Sequence, residues 1–418
     1  MAKACGVDFG TSNSTVGWRG LEGAGSLLLP LEEGKQTLPS VVFFNADDNE
    51  FTYGRAALTA YLAGYEGRLM RSLKSLLGSG AIDGQTEVGG RALPFRGLLA
   101  QFIGELKLRA EKAAGQSFSR VVMGRPVHFV DDDAAADQLA QDTLAEIARS
   151  VGFTDIEFQY EPIAAAFDYE SRITREELVL IADIGGGTSD FSLVRLSPER
   201  ATQVERRDDI LANGGVHIGG TDFDKYLSLS CVMPLLGLGG RLSSNSEVPS
   251  SYYFNLATWH TINQLYTRKV WQQLQDVGRE VRERDKFARL LDLVDQRCGH
   301  WLALQVEAGK IALSSEETTM LDLQRLRPPE MLELRRTDFD ASVDHLVGSV
   351  EQTVTGLLRD AGLKPADIDT VFFTGGSSGV NLLRRRISAL VPDAQHVEGD
   401  LFGSIGSGLA LDAMRKFG

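Results

Sequence analysis

Cysteine is scarce in this chain. Cys5, Cys231 and Cys298 are the only three in 418 residues, too scattered for a disulfide framework. No CxxC pair or nearby histidine spacing offers a zinc site, and the pattern points to a reducing compartment. Long hydrophobic runs are missing too. None nears the length of a membrane span, and the N-terminus enters a strand without a signal-like apolar core. These absences predict a cytoplasmic protein with no membrane partner. A basic surplus is also lacking: 57 Asp and Glu outnumber 43 Lys and Arg, giving a net charge of −14. That balance argues against nucleic acid, whose backbone needs positive surface. It does not exclude a nucleotide, since backbone N–H groups and a metal ion can make one small site locally positive. The common nucleotide signatures are absent: there is no GxxxxGK[ST] loop, no GxGxxG opening a helix and no protein-kinase set.

What the chain does have is a motif written twice. Val7-Asp8-Phe9-Gly10-Thr11-Ser12-Asn13 closely matches Ala182-Asp183-Ile184-Gly185-Gly186-Gly187-Thr188-Ser189-Asp190. Each copy ends an apolar strand in Asp, follows it with glycine and hydroxyl residues, and leads into a second strand. Glycine lets a backbone approach phosphate oxygens, and successive N–H groups in such turns form an anion cradle. The hydroxyls of Thr11, Ser12 and Thr188 can donate to phosphate. Asp8 and Asp183 suit Mg²⁺, directly or through its water shell. One such turn is an ordinary hairpin. Two with matching flanks predict related lobes gripping a polyphosphate and its metal from opposite sides.

Along the chain, strands such as Ser40–Phe44 precede a region read as helical from Ala56 to Leu77. A strand at Val121–Val127 is followed by an acidic helix start at Asp131, Asp132 and Asp133. Residues 237–251 read as a Gly/Ser-rich surface loop. Residues 256–314 read as long, charged helix, with Trp259, Trp271 and Trp301 as packing residues. Thr337 reads as an N-cap, and Gly362 as the stop of the helix that follows. A buried strand, Thr370–Thr374, runs into Gly375-Gly376-Ser377-Ser378-Gly379. By themselves, Glu161-Pro162 is a helix start and Lys74 a solvated lysine. Glu307, Lys310 and Ser314 share one helix face, read alone as a salt-bridged surface.

Taken in order, these stretches resemble the ATPase domain of the seventy-kilodalton heat-shock chaperones, the DnaK type, within the actin and sugar-kinase superfamily. The matching runs are Val7–Asn13, Lys74–Gly78, Glu161–Ala166, Asp183–Asp190, Gly219–Asp224, Glu307–Ser315 and Gly375-Gly376. The phrases Gln159–Glu170 and Met233–Gly240 look most like the short bacterial branch of that family. The resemblance implies an α/β, two-lobed actin-like ATPase fold with duplicated mixed-sheet subdomains, flanking helices and a central nucleotide cleft. Lobe I would cover residues 1–177. Lobe II would cover 178–397, with an enlarged helical insertion at about 235–305 and the adenosine-binding elements. A C-terminal helix, 398–418, would return to lobe I.

Carried over residue by residue, the resemblance gives catalytic roles to Asp8, Lys74, Glu161, Asp183 and Thr188. Lys74 would stabilise the transferring phosphoryl group. Asp8, Asp183 and Glu161 would hold Mg²⁺, largely through water. Gly10, Thr11, Ser12, Asn13, Gly185, Gly186, Gly187 and Thr188 would take the phosphates of ATP or ADP. Gly219, Gly220, Glu307, Lys310, Ser314, Gly375, Gly376, Ser377 and Gly379 would line the rest of the nucleotide. Two departures stand out. Gly379 occupies the place of the family's adenine-stacking arginine, which should weaken adenine affinity or relax base preference. The segment between Asp224 and Glu307 is also longer than usual. The linker and peptide-binding domain are expected to be missing.

The leading reading is a slow Mg²⁺-dependent ATPase, chaperone-like and monomeric, that switches conformation for a protein partner or co-chaperone. A nucleotide-binding module with little hydrolysis is the main alternative. An actin-like filament protein or a small-molecule kinase is the other. All require nucleotide binding. ATP or ADP with Mg²⁺ at 100-fold excess over Kd should stabilise the chain by about 2.7 kcal/mol in thermal unfolding. No shift with any nucleotide would overturn the nucleotide readings together.

Overall fold

Ala4–Phe9 and Thr370–Thr374 are buried at every position. Continuous burial of this kind belongs to strands covered on both faces. The computed structural model describes residues 4–20, 27–78, 80–88, 91–130, 133–400 and 403–418. It is an α/β structure that divides into two compact units. The first comprises Met1–Gly215, Val354–Ser378 and Leu390–Gly418; the second comprises Val216–Thr353 and Gly379–Ala389.

The first unit contains the duplication. One five-stranded sheet runs Thr37–Pro39, Asn13–Gly17, Ala4–Phe9, Arg120–Arg125, Asp155–Tyr160 in spatial order. The other runs Ile210–Val216, Ser189–Leu196, Glu177–Ile184, Thr370–Thr374, Gln395–Glu398. Each is an antiparallel hairpin extended by two parallel strands beside its first arm. In both hairpins the aspartate sits near the turn, with Asp8 opposite Thr15 and Asp183 opposite Asp190.

Helix Glu161–Glu170 and the C-terminal helix Ser404–Phe417 share one apolar core with strands of both sheets. Small residues make that contact close. A Cβ added to Gly408 would lie 1.8 Å from the Ala164 carbonyl oxygen, and one on Gly6 would lie 2.3 Å from the Leu409 backbone. A buried charge cluster pins the far end of helix Glu161–Glu170. Arg206 donates to both Glu170 oxygens at 2.7 and 2.9 Å and to Asp209, and the Ser197 amide also donates to Glu170. Elsewhere in this unit, helix Gly54–Leu62 has no side-chain cap at Tyr53. Glu32 supplies one from 23 residues upstream, accepting from the Arg55 and Ala56 amides.

The second unit is mostly helical. Residues 259–313 fold as a 3-10 segment, Trp259–Tyr266, and three helices, Arg268–Glu280, Arg284–Asp295 and Gly299–Leu313. Trp301 is buried and Trp259 meets His300 edge-on, as packing tryptophans should. Arg385 and Arg386 on helix Asn381–Leu390 pair with Asp340, Asp344 and Glu351 of helix Arg336–Asp360.

Several boundaries differ from the sequence reading. The span 56–77 is helical only in Gly54–Leu62 and the 3-10 turn Leu73–Leu76. Gly64, at φ +87°, ends the helix, and Gly67–Arg71 becomes a strand paired with Val41–Asn45. Thr337 is not an N-cap, because the helix already starts at Arg336, whose amide donates to the Glu317 carbonyl. Asp131 and Asp132 lie outside the described residues. Asp133 caps helix Ala134–Ser150 by accepting from the Ala135 and Ala136 amides. Gly362 stops its helix at φ +69°, as expected.

Removing Arg206 would leave Glu170 as an uncompensated buried charge and Asp209 with Arg200 as its remaining partner. Arg206→Met should therefore lower stability by about 3–5 kcal/mol, read from the urea midpoint.

Candidate functional site

Both hairpin turns lie in the first unit. In the first, Ser40 braces the glycine: its hydroxyl donates to the Gly10 carbonyl at 2.6 Å, and its amide donates to the Ser12 carbonyl. In the second, the Gly185 amide donates to the Thr188 carbonyl at 2.8 Å. The turns face each other closely. A Cβ added to Gly186 would sit 2.0 Å from Ser12 Oγ and 3.2 Å from its Cβ, so any side chain there would force Ser12 to shift. Gly375 is similarly confined: at φ +83°, its added Cβ would lie 2.4 Å from Asp183 Oδ1.

Lys74 reaches this region from the 3-10 turn. Its ammonium donates to Glu161 Oε1 at 2.5 Å, with both side chains nearly buried. Glu161 opens its helix ahead of Pro162, and its side chain rests against Gly124, where a Cβ would lie 3.3 Å from Glu161 Cγ and 3.5 Å from Oε1. Burial raises the Asp8 carboxyl to about 7, with Glu161 adding to the rise and Lys74 opposing it. Burial likewise raises Asp183 to about 8, reinforced by Asp190, Glu161 and Asp8. Burial disfavours the Lys74 ammonium, but Glu161, Asp8 and Asp183 outweigh it and raise its pKa. Three carboxylates thus confront one ammonium, with Asp190 close behind.

A divalent cation fits that set of oxygen donors, because its charge would favour the ionised form of both aspartates. Among the described residues, no three carboxylate, imidazole or thiol groups converge to ligate a metal directly. The donor set therefore suits an ion held by Asp8, Asp183 and Glu161 through its water shell.

Asp190 was missed by the sequence reading. It accepts from Thr188 Oγ1 at 2.8 Å and so fixes the hydroxyl of a candidate phosphate ligand. The signal was there in the motif, two residues past Thr188. Gly124 and Ser40 carried no signal of their own.

The other candidate residues belong to the Gly375 loop and to the second unit. Gly376 is exposed, while Ser377 is buried and its amide donates to the Ile184 carbonyl. In the second unit, Asp222 caps the start of Gly220–Leu227 by accepting from the Gly219 amide. Lys310 is buried and already engaged, donating to the Gly220 carbonyl at 3.1 Å and pairing with Asp224 at 2.8 Å. Glu307 lies one turn earlier, half-buried. The Ser314 carbonyl accepts from Asn381 Nδ2, and a Cβ on Gly379 would meet only Ser314, at 3.7 Å.

The description "Hsp70 protein" matches residues 79–233 and 281–401, well over half of the chain. The chain belongs to the Hsp70 family. Its ATPase-domain fold is the actin-like α/β kind that the resemblance implied. It is similar to the chaperone protein DnaK of Thermosipho melanesiensis, 26% identical over 392 residues, which is 92% of this chain and 54% of the relative. The chain thus spans about half the length of that curated relative. The Hsp70 match pauses between residues 234 and 280, inside the stretch read as an enlarged insertion. No described helix is long and apolar enough to cross a membrane.

The Gly186–Ser12 approach gives a direct test. Gly186→Ala should destabilise the protein by about 1–3 kcal/mol through overpacking, read by thermal unfolding. Adding Ser12→Ala should recover part of that loss, since neighbouring sites couple. Additive losses would show that the two turns do not meet.

Proposed function

We propose that this chain is a slow Mg²⁺-dependent ATPase of the DnaK type, acting in the cytoplasm as a conformational switch for a protein partner. The observation that carries this reading is the Lys74–Glu161 pair set among Asp8 and Asp183, beside two facing glycine-hydroxyl turns. Phosphoryl transfer needs little covalent help from a protein; it needs positioning and stabilisation of charge. Gly10–Asn13 and Gly185–Thr188 would cradle the phosphates with turn amides other than the Gly185 amide, which closes its own turn, and Thr11, Ser12 and Thr188 would donate from their hydroxyls. Lys74 would neutralise the phosphoryl group in transfer, and Glu161 would keep its ammonium aimed. When bound, Mg²⁺ would supply charge neutralisation and orient the phosphates. Glu307, Lys310 and Ser314, with Gly219, Gly220 and Gly375–Gly379, would take ribose and adenine.

A second reading, a nucleotide-binding module with little turnover, is favoured by Gly379, which offers no side chain to stack on the base. The two readings separate in one experiment. Lys74→Ala should cut single-turnover phosphate release by about 10²- to 10³-fold, while leaving ADP affinity nearly unchanged. Equal turnover in the variant would remove Lys74 from the reaction. Tight ATP binding without phosphate release in the parent would favour the module.

A further inference from the structure

Arg125 is a buried cation outside the candidate site, and every arm of its guanidinium is used. Nη2 donates to both Asp137 oxygens at 2.7 and 3.0 Å and to the Val127 carbonyl. Nη1 donates to Gln141 Oε1, and Nε to the Pro126 carbonyl. Its Cζ also lies near two rings, 5.2 Å from the Phe129 centroid and 5.3 Å from that of Tyr160.

These contacts lead to both members of the Lys74–Glu161 pair. Tyr160 is the residue immediately before Glu161 and the last of its strand. On the other side, the Phe129 amide donates to Asp137 at 2.6 Å, which fixes residues 129 and 130. That segment lies against the end of the Lys74 turn: a Cβ on Gly78 would come 2.5 Å from Val130 Cγ2 and 3.4 Å from the Phe129 carbonyl. The Leu77 amide donates back to the Lys74 carbonyl, which ties the end of the turn to Lys74.

A structural need alone would be met by an apolar residue here, as it is at Val121, Val122 and Met123 of the same strand. Burying an ion pair adds little net stability against such a residue, and its best use is to fix geometry. We propose that Arg125, held by Asp137, is a positioning residue that sets the distance and direction of Lys74 relative to Glu161. The proposal rests on the ATPase reading for its catalytic consequence.

Lysine acetylation with acetic anhydride, read by mass spectrometry, tests the positioning without needing turnover. Lys416 is the internal reference: it is as buried as Lys74, lies in the same unit and is tied to Asp412 and the Phe158 carbonyl. In Arg125→Met, labelling of Lys74 should rise about tenfold while Lys416 stays protected, as local opening requires. Asp137→Asn should shift Lys74 the same way but less. Arg125→Lys, which keeps the charge but not the fork, should fall between parent and Arg125→Met. In ATP hydrolysis, Arg125→Met should lower kcat by about 10- to 100-fold with KM changed less than about threefold. No change at Lys74, or an equal rise at Lys74 and Lys416, would overturn the proposal. A parent that releases no phosphate would overturn the ATPase reading and leave the labelling result to decide the positioning.

Discussion

One ammonium among buried carboxylates is the constraint on which the rest of the first unit depends. Asp8 and Asp183 arrive from different sheets, Glu161 from a helix and Lys74 from a short turn. Like charges drawn from water repel one another and lose hydration, which is why both aspartates hold protons up to near-neutral pH. A fold can keep such groups together only if other contacts hold the elements that carry them. Here those contacts are the bidentate Arg206–Glu170 pair at one end of the Glu161 helix and the glycine-lined seat of the C-terminal helix along its side.

The duplication sets the geometry. Each sheet delivers one aspartate at the turn end of its central hairpin, so the two acids are products of one repeated plan. The space between the turns is then limited by short polar side chains and by the Ile184 backbone. Gly186 against Ser12 and Gly375 against Asp183 leave no room for a side chain, so the region is lined by amides and hydroxyls. Such a lining can meet anions without any basic residue, which reconciles a phosphate site with a strongly acidic chain.

The sequence exposed what is local and repeated. The Asp-Gly-hydroxyl pattern, the proline behind Glu161 and the stop at Gly362 each act within a few residues, and each could be read from spacing and backbone chemistry. What it hid are pairings across long stretches of chain. Lys74 and Glu161 lie 87 residues apart, and only the resemblance to a family linked them. The Lys74 turn was read as helix because its breakers, Gly64 and Gly67, took effect through a strand pairing that no local pattern announces. Glu32 capping a helix 23 residues away, and Arg125 reaching Asp137 and Tyr160, leave no trace in periodicity either.

The close seat of helix Ser404–Phe417 on Gly6 and Ala164 has a consequence in time. The helix that covers the strand Ala4–Phe9 is synthesised about 400 residues after it. At roughly 5–20 residues per second, the ribosome leaves that strand without its cover for some tens of seconds. During that interval the first sheet presents bare glycine backbone to the cell.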